Sequence, residues 1–313
     1  NTAIGYYALA TDTQGRDTVA IGVTSLQQQN FSSSTYSNNV AVGGSTGYSN
    51  TTGAQNTFIG SRAGFSNTTG QRNTFIGNHA GYDVTTASYN TFVGDDAGVN
   101  VSTGFNNSYF GAKSGDANTT GDYNVGIGMY TLASDTTGNK STALGYGALY
   151  TQNTTSSADM FNTAVGFSAG EAVTTGQYNT LIGAQAGDAI TTGDNNVAVG
   201  YAALDADTLG SRSIAIGVSS LTSQNFTTAT NGYNISIGHL AGANITTGVQ
   251  NTIIGGLVGD ALTDADFNVA LGYASLSQDT LGSKTTALGW GTLATQNFTT
   301  ATDSYNTAVG YGA

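Results

Sequence analysis

The sequence has no cysteine and no proline, and its basic residues are few. Without cysteine, neither disulfides nor thiolate metal sites can hold the chain together. Seven Lys and Arg residues stand singly against nineteen Asp and Glu, which gives a net charge of −12. Binding to a phosphate backbone requires clustered positive charge, so we expect no nucleic-acid partner.

The chain also lacks long apolar runs and helical periodicity. No stretch approaches the roughly 18 apolar residues of a membrane span, so we expect no membrane insertion within this segment. Catalytic signatures are missing too: there is no phosphate-binding loop and no nucleophile elbow. The two histidines, His79 and His239, are far apart in the sequence. We therefore predict a protein that is not an enzyme and that needs no metal or cofactor.

What the sequence does contain is one short unit repeated along its whole length. Residues 56–72 read NTFIGSRAGFSNTTGQR, and two close variants follow at 73–89 and 90–106. We call each copy a rung, and we call the Gly that closes its first five residues the motif glycine. Thirteen of the seventeen intervals between motif glycines are 17 residues long, and four are 21. The eighteen motif glycines are Gly5, Gly22, Gly43, Gly60, Gly77, Gly94, Gly111, Gly128, Gly145, Gly166, Gly183, Gly200, Gly217, Gly238, Gly255, Gly272, Gly289 and Gly310.

The first five positions of a rung predict a short β-strand followed by a turn. The second position is always Thr, Val, Ile or Ser, and the fourth is always Ile, Val, Leu or Phe. Such residues suit a pleated surface, and positions two apart share a face. The third position is also mostly apolar, so we expect a strand buried on both faces. Asn opens fourteen rungs, and we expect these Asn side chains to form a ladder that satisfies backbone groups of the turns.

A second segment that recurs within the chain, usually Thr-Thr-Gly as at 68–70, predicts a second short strand in each rung. The fold class predicted is therefore all-β: a parallel β-roll or β-solenoid of eighteen 17- or 21-residue rungs. We expect 1–313 to be a single repeat array. Because it starts on the first residue of a rung and stops within one, we expect it to be a fragment of a longer fibrous protein.

The position four residues after the motif glycine is either Leu or Gly, and the residue type at the third position of the rung changes with it. Large third-position residues occur only where this position is Gly in both their own rung and the rung before. Since interiors are close-packed, we infer that each third-position side chain lies between these two sites. The residues expected to pack the rungs are Phe58, Phe75, Phe92, Tyr109, Leu181, Ile253, Leu132, Leu149, Leu204 and Leu221.

The four long rungs carry similar inserted loops, at 29–38, 152–161, 224–233 and 296–305. Each long rung opens with Ser or Thr instead of Asn and follows a basic residue, directly in three cases and with Asp17 between Arg16 and the rung in the fourth. These loops are the best candidates for surface binding, although their aromatic residues could instead cover the edge of a rung. The candidate binding residues are Phe31, Tyr36, Phe161, Phe226, Tyr233, Phe298 and Tyr305.

The strand N-T-A-I-G, followed by a small residue and then Leu or Gly, resembles the head repeats of trimeric autotransporter adhesins. It is similar also to the repeat arrays of phage tail fibres. The resemblance covers every rung and implies a left-handed parallel β-roll, three identical chains side by side, and attachment to a host surface. It implies no particular binding residues. The adhesin rung is typically a few residues shorter than 17.

From the residues and the resemblance together, we expect a non-catalytic segment of an extracellular trimeric fibre, on a cell surface or a virion tail. Its partners would be two further copies of itself and a surface glycan or protein. A purely structural extracellular filament or sheath is the alternative. A third possibility, an ice-binding β-solenoid, is weaker because adjacent Thr residues of a strand point to opposite faces.

Overall fold

A computed structural model describes residues 1–154 and 156–313 of the chain. Every regular element in this part of the chain is a β-strand, and no helix is present that could cross a membrane. The chain divides into two units, Asn1–Met160 and Phe161–Ala313. Each unit contains nine successive turns of a parallel β-solenoid, so the all-β solenoid of eighteen rungs predicted from the sequence is confirmed.

Each rung contributes one strand of three residues, at positions two to four of the rung. In the first unit these strands are Thr2–Ile4, Val19–Ile21, Val40–Val42, Thr57–Ile59, Thr74–Ile76, Thr91–Val93, Ser108–Phe110, Val125–Ile127 and Thr142–Leu144. In the second unit they are Thr163–Val165, Thr180–Ile182, Val197–Val199, Ile214–Ile216, Ile235–Ile237, Thr252–Ile254, Val269–Leu271, Thr286–Leu288 and Thr307–Val309.

Within each unit the strands pair in parallel with the same position of the next rung. Phe58 lies opposite Phe75, and Phe75 lies opposite Phe92. The register does not slip at the 21-residue rungs, since Ala20 lies opposite Ala41. The four extra residues of a long rung are therefore accommodated outside the sheet.

The second strand predicted for every rung is wrong. The Thr-Thr-Gly segments form bends, and their backbone is held by hydrogen bonds to the next rung, such as Thr68 N to Thr85 O at 2.8 Å. Among residues 1–154 and 156–313, additional strands occur only in each long rung and in the rung before it, where they are two residues long and pair in parallel. These pairs are Gly15–Arg16 with Thr35–Tyr36, Gly138–Asn139 with Ala158–Asp159, Gly210–Ser211 with Thr230–Asn231, and Gly282–Ser283 with Thr302–Asp303.

The motif glycine is required by the backbone geometry of the turn. Its φ lies between 127° and 142° in all eighteen rungs, a region that L side chains rarely adopt. At Gly77, a Cβ would also lie 2.1 Å from the carbonyl oxygen of Gly94 in the next rung. Both the conformation and the close approach of successive rungs exclude any other residue here.

The predicted Asn ladder is present and is buried. The backbone N–H of Asn73 donates to Oδ1 of Asn56 at 2.9 Å, and Asn56 Nδ2 donates to Gly70 O at 2.8 Å. The same two bonds recur at Asn90 and Asn107 with the spacing of one rung. Each Asn thus satisfies one backbone donor and one backbone acceptor that would otherwise be buried without partners.

The middle residue of the strand fills the solenoid, and it is buried in all but the first and last rungs. Phe58, Phe75, Phe92 and Tyr109 form a continuous stack whose ring centroids are 5.3, 4.9 and 5.2 Å apart. The hydroxyl of Tyr109 accepts a hydrogen bond from Asn118 Nδ2 at 2.6 Å. The hydroxyl is therefore satisfied inside the core, where an unpaired polar group would be costly.

The ten packing residues predicted from the sequence are all at most 1% exposed. A Cβ added to Gly47 would lie 2.8 Å from Phe58 Cδ2, and one added to Gly64 would lie 2.8 Å from Phe58 Cε1. Phe58 therefore lies between the Gly sites of its own rung and the preceding rung, where the volume argument places it.

Burial of the strand on both faces is wrong for the single chain. The residues at the second and fourth positions of each rung, which are the first and third of the strand, point away from the interior, and none of them is buried. Ile59 is 38% exposed and Leu144 is 43% exposed. The sheet of each unit therefore presents an apolar outer face to its surroundings.

Candidate binding surfaces

The long-rung loops are anchored by buried or partly buried Asp–Gln pairs that the sequence analysis did not single out. In each case the Asp lies seven residues after a motif glycine and the Gln lies 17 residues later, in the long rung. Gln224 Nε2 donates to Asp207 Oδ2 at 2.6 Å, and the backbone N–H of Gly210 donates to Asp207 Oδ1 at 3.0 Å. The four pairs are Asp12 with Gln29, Asp135 with Gln152, Asp207 with Gln224, and Asp279 with Gln296.

These pairs also repair the Asn ladder where it is interrupted. A long rung opens with Ser or Thr, whose side chain is too short to reach the next turn. Gln224 Nε2 instead donates to Ser213 Oγ at 3.1 Å, and Gln224 Oε1 accepts from Asn234 Nδ2 at 2.8 Å. The Ser or Thr at the start of a long rung is thus explained by the Gln that occupies the space of the missing amide.

Burial makes these carboxylates electrostatically unusual. Desolvation raises the pKa of Asp135 and of Asp207, while the hydrogen bonds from the Gln amide and from backbone N–H groups lower it. Since every partner of Asp207 is a hydrogen-bond donor, the site suits the ionised form. The signal was visible in the sequence as an Asp and a Gln one rung apart at the base of every loop.

On the outside of the loops, a cation covers an aromatic ring. Arg16 Cζ lies 5.9 Å from the ring centroid of Tyr36, and Arg212 Cζ lies 5.8 Å from that of Tyr233. Lys284 Nζ lies 5.2 Å from the ring centroid of Tyr305. Lys140 and Lys284 form ion pairs of 2.5 Å with Asp159 and Asp303. The basic residue before each long rung therefore holds the end of the loop that follows it.

The seven aromatic residues predicted to bind a surface separate into two groups. Tyr36, Phe161, Tyr233 and Tyr305 are exposed, between 43% and 70%. Phe31 and Phe226 are only 6% and 4% exposed, so these two are not surface residues and the prediction is corrected for them. Phe298 is partly buried. A Cβ added to Gly232 would lie 3.1 Å from Phe226 Cε2, so this ring fills the inside of its own loop. Residue 155, in the second loop, lies outside the described residues.

An acidic column runs along one side of the second unit. Glu171, Asp188 and Asp205 each lie five residues after a motif glycine and therefore occupy equivalent positions in successive rungs. Partial burial, and then repulsion from Asp205 and Glu171, raises the pKa of Asp188 to about 6. Among the described residues, no group of three or more His, Asp or Glu side chains is arranged to hold a metal ion.

The Thr-Thr pairs form two different columns. The hydroxyl of the first Thr bonds to the next rung, as in Thr68 Oγ1 to Thr85 O at 3.0 Å. The second Thr, such as Thr69 or Thr86, is exposed and leaves one Thr per rung on this side. A flat two-dimensional Thr array is not formed by these pairs, and this arrangement does not favour ice binding.

Comparison of the chain with protein-family models, with curated proteins and with solved structures finds no match.

Proposed function

We propose that this chain is a non-catalytic segment of an extracellular trimeric fibre that attaches to a surface, as an adhesin or a tail fibre does. The observation that carries the proposal is the apolar outer face of the sheet. Its fourth-position residues are all Ile, Val, Leu or Phe, and none of them is buried. Contiguous apolar surface of this kind marks an interface in soluble proteins.

A second and third copy of the same chain are the partners that fit this face. The apolar residues recur once per rung, and the 21-residue rungs interrupt the sequence at fixed places. An identical chain, aligned in parallel, matches both the period and the interruptions along its whole length. Closed rotational symmetry would then bury the face of every copy, and the resemblance to trimeric fibres favours three copies.

The loops supply the surface for attachment. Tyr36, Tyr233 and Tyr305 project with a large exposed area, while Arg16, Arg212 and Lys284 restrain them. Restrained aromatic side chains lose little conformational entropy on binding, which favours their use in recognition. A glycan or a protein on the target surface would be the ligand.

Sedimentation equilibrium and thermal melting test the assembly. The wild-type chain should sediment as a trimer, and Ile76→Lys combined with Ile127→Lys on the outer face should produce monomers. Thr69→Lys combined with Thr120→Lys, at exposed positions of the Thr-Thr bends, is the matched control and should leave the trimer intact. A wild-type monomer with full thermal stability would overturn the proposal.

A structural filament or sheath remains the second candidate, because the Asn and Thr ladders and the close Gly–Gly approach run from rung to rung and would stiffen a rod. Shortening the four long rungs to 17 residues separates the two functions. Attachment to cells or surfaces should be lost if the loops bind, whereas assembly should persist in either case. Undiminished attachment by the shortened chain would show that the loops are not the binding elements.

A further inference from the structure

A cleft of about 510 Å³ opens on the first unit, between equivalent segments of two adjacent rungs. This volume is within the range of roughly 300–1,000 Å³ that small-molecule sites occupy. None of its lining residues carries a formal charge, and none belongs to the long-rung loops. The lining residues are Thr86, Ala87, Ser88, Tyr89, Thr103, Phe105 and Asn106.

Two exposed aromatic rings border the cleft. Tyr89 is 52% exposed and Phe105 is 38% exposed. Phe105 is the only aromatic residue of the chain that lies six residues before a motif glycine, so this rung departs from the repeat pattern. An edge-to-face contact with Tyr123, at 5.3 Å between centroids, supports the Phe105 ring. Arg72 lies 5.1 Å from the centroid of the Tyr89 ring and donates to its hydroxyl. Both rings are therefore held in place before any ligand arrives.

Several backbone groups of the cleft are already paired. Tyr89 N–H donates to Gln71 O at 3.1 Å, and Ser88 O accepts from Asn106 N–H at 3.3 Å. Phe105 N–H donates to Asp122 Oδ1 at 2.8 Å, and Phe105 O accepts from Tyr123 N–H at 3.1 Å. These bonds occupy Tyr89 N–H, Ser88 O and both backbone groups of Phe105, so an extended peptide could not pair with them as it would with a free strand edge.

The polar side chains of the cleft, in contrast, are available. Within residues 1–154 and 156–313, the hydroxyls of Thr86 and Thr103 and the amide of Asn106 make no hydrogen bond. Ser88 Oγ accepts from Gln71 N–H at 3.0 Å, which leaves its own hydrogen free to donate. Uncharged donors and acceptors beside two aromatic faces match a ligand that has many hydroxyls and one apolar face.

We propose that this cleft binds a neutral carbohydrate, with a sugar ring against Tyr89 and Phe105 and its hydroxyls bonded to Ser88, Thr103 and Asn106. The inference deepens the proposed attachment function, on which its biological role rests, by naming a site and a ligand class. It places recognition on 17-residue rungs and apart from the inserted loops.

Saturation-transfer NMR with a panel of neutral hexoses, N-acetylhexosamines and their disaccharides tests the cleft on the full chain. At least one saccharide should bind, and Tyr89→Ala or Phe105→Ala should weaken its binding about tenfold, the order expected for loss of an aromatic contact. Tyr178→Ala and Val249→Ala are matched controls, because these residues occupy the same rung positions as Tyr89 and Phe105 elsewhere. Both controls should bind as the wild type does.

Thermal melts must show that the variants are folded, and Phe105→Leu, which keeps an apolar side chain, serves if the Ala variant is not. The proposal is overturned if no saccharide of the panel binds, if binding survives both aromatic substitutions, or if a peptide rather than a sugar occupies the cleft.

Surface attachment is measured separately. Attachment that is unchanged in the folded Tyr89→Ala and Phe105→Ala variants would overturn the cleft and leave the proposed function standing. Sugar binding without any attachment would do the reverse.

Discussion

Leu26 and Phe58, which belong to rungs two apart, reach the same point inside the solenoid. A Cβ added to Gly47, in the rung between them, would lie 2.8 Å from Cδ2 of each. Both residues have a left-handed backbone: φ is 47° at Leu26 and 57° at Gly47. The backbone therefore keeps one conformation, and the choice between Leu and Gly at this position decides which side chain fills the shared volume.

Phe75 and Gly81 provide a direct test of this shared volume. Phe75→Ala should destabilise the chain by about 3–5 kcal/mol because it leaves a cavity between Phe58 and Phe92. Gly81→Leu alone should overpack, since its Cβ would lie 2.7 Å from Phe75 Cδ2. The double variant should recover part of both losses in chemical denaturation. Strict additivity of the two free energies would show that these positions share no space.

The motif glycine should tolerate no substitution. Gly77→Ala requires both an unfavourable φ of 141° and a contact of 2.1 Å with Gly94 O, so we expect loss of several rungs or failure to fold. Gly44→Ala is the matched control, because a Cβ there meets nothing within 4 Å. It should change the melting temperature little or raise it slightly, by reducing the entropy of the unfolded chain. A folded Gly77→Ala chain with wild-type stability would contradict this account.

Removal of a buried loop anchor should cost more than removal of a partly buried acid of the acidic column. Asp207→Ala leaves one N–H of the Gln224 amide and the backbone N–H of Gly210 without an acceptor, at about 1–3 kcal/mol for each buried donor. Asp205→Ala, two residues away in the acidic column, loses one hydrogen bond from Thr222 Oγ1 at 2.7 Å but relieves repulsion on Asp188, so it should cost less. Limited proteolysis would show whether the loop 224–233 is released in the first variant only. Equal stability of the two variants would rule out the anchoring role.

Mild acid should stabilise the second unit. The pKa of Asp188 is about 6 in the folded chain, above the ordinary aspartate value of 3.8 expected in the unfolded chain, so the folded chain binds more protons between these two values. Its contribution to stability therefore increases as the pH falls from 7 through 6 and is complete below the unfolded pKa. Melting temperatures measured from pH 7 to pH 5 should rise.

Asp188→Asn should reduce this dependence on pH and raise the melting temperature at pH 7. Asp83→Asn is the control, because the equivalent residues in the neighbouring rungs are the uncharged Ser66 and Asn100. It should leave the pH profile as it is in the wild type. A profile that is the same in both variants would mean that Asp188 is not the group responsible.

Much of the fold could be predicted because each prediction depended on a rung and its immediate neighbour. The spacing of motif glycines gave the number of turns, and the exchange of Phe58-type and Leu26-type residues gave their register. The Asn ladder followed from the same logic, since an Asn repeated every rung meets its own copy. In a solenoid, residues that are one repeat apart in the sequence are neighbours in space.

The errors arose where apolar pattern alone had to distinguish an inside from an outside. Ile59 and Phe58 are both apolar, yet only Phe58 is buried, because the direction in which the chain coils decides which strand face is enclosed. Phe226 and Tyr233 belong to one loop, and only the backbone path of that loop buries the first and exposes the second. The candidate binding residues were for this reason less predictable than the core.

The sequence by itself determined that this protein consists of eighteen rungs with four inserted loops, since repetition fixes the contacts between neighbouring copies. Only the tertiary structure decided that Asp207 and Gln224 meet in the interior, that cations cover the loop aromatics, and that Tyr89 and Phe105 border an open cleft. The physical reason is that these features depend on side-chain directions at single rungs, which a repeat pattern averages away.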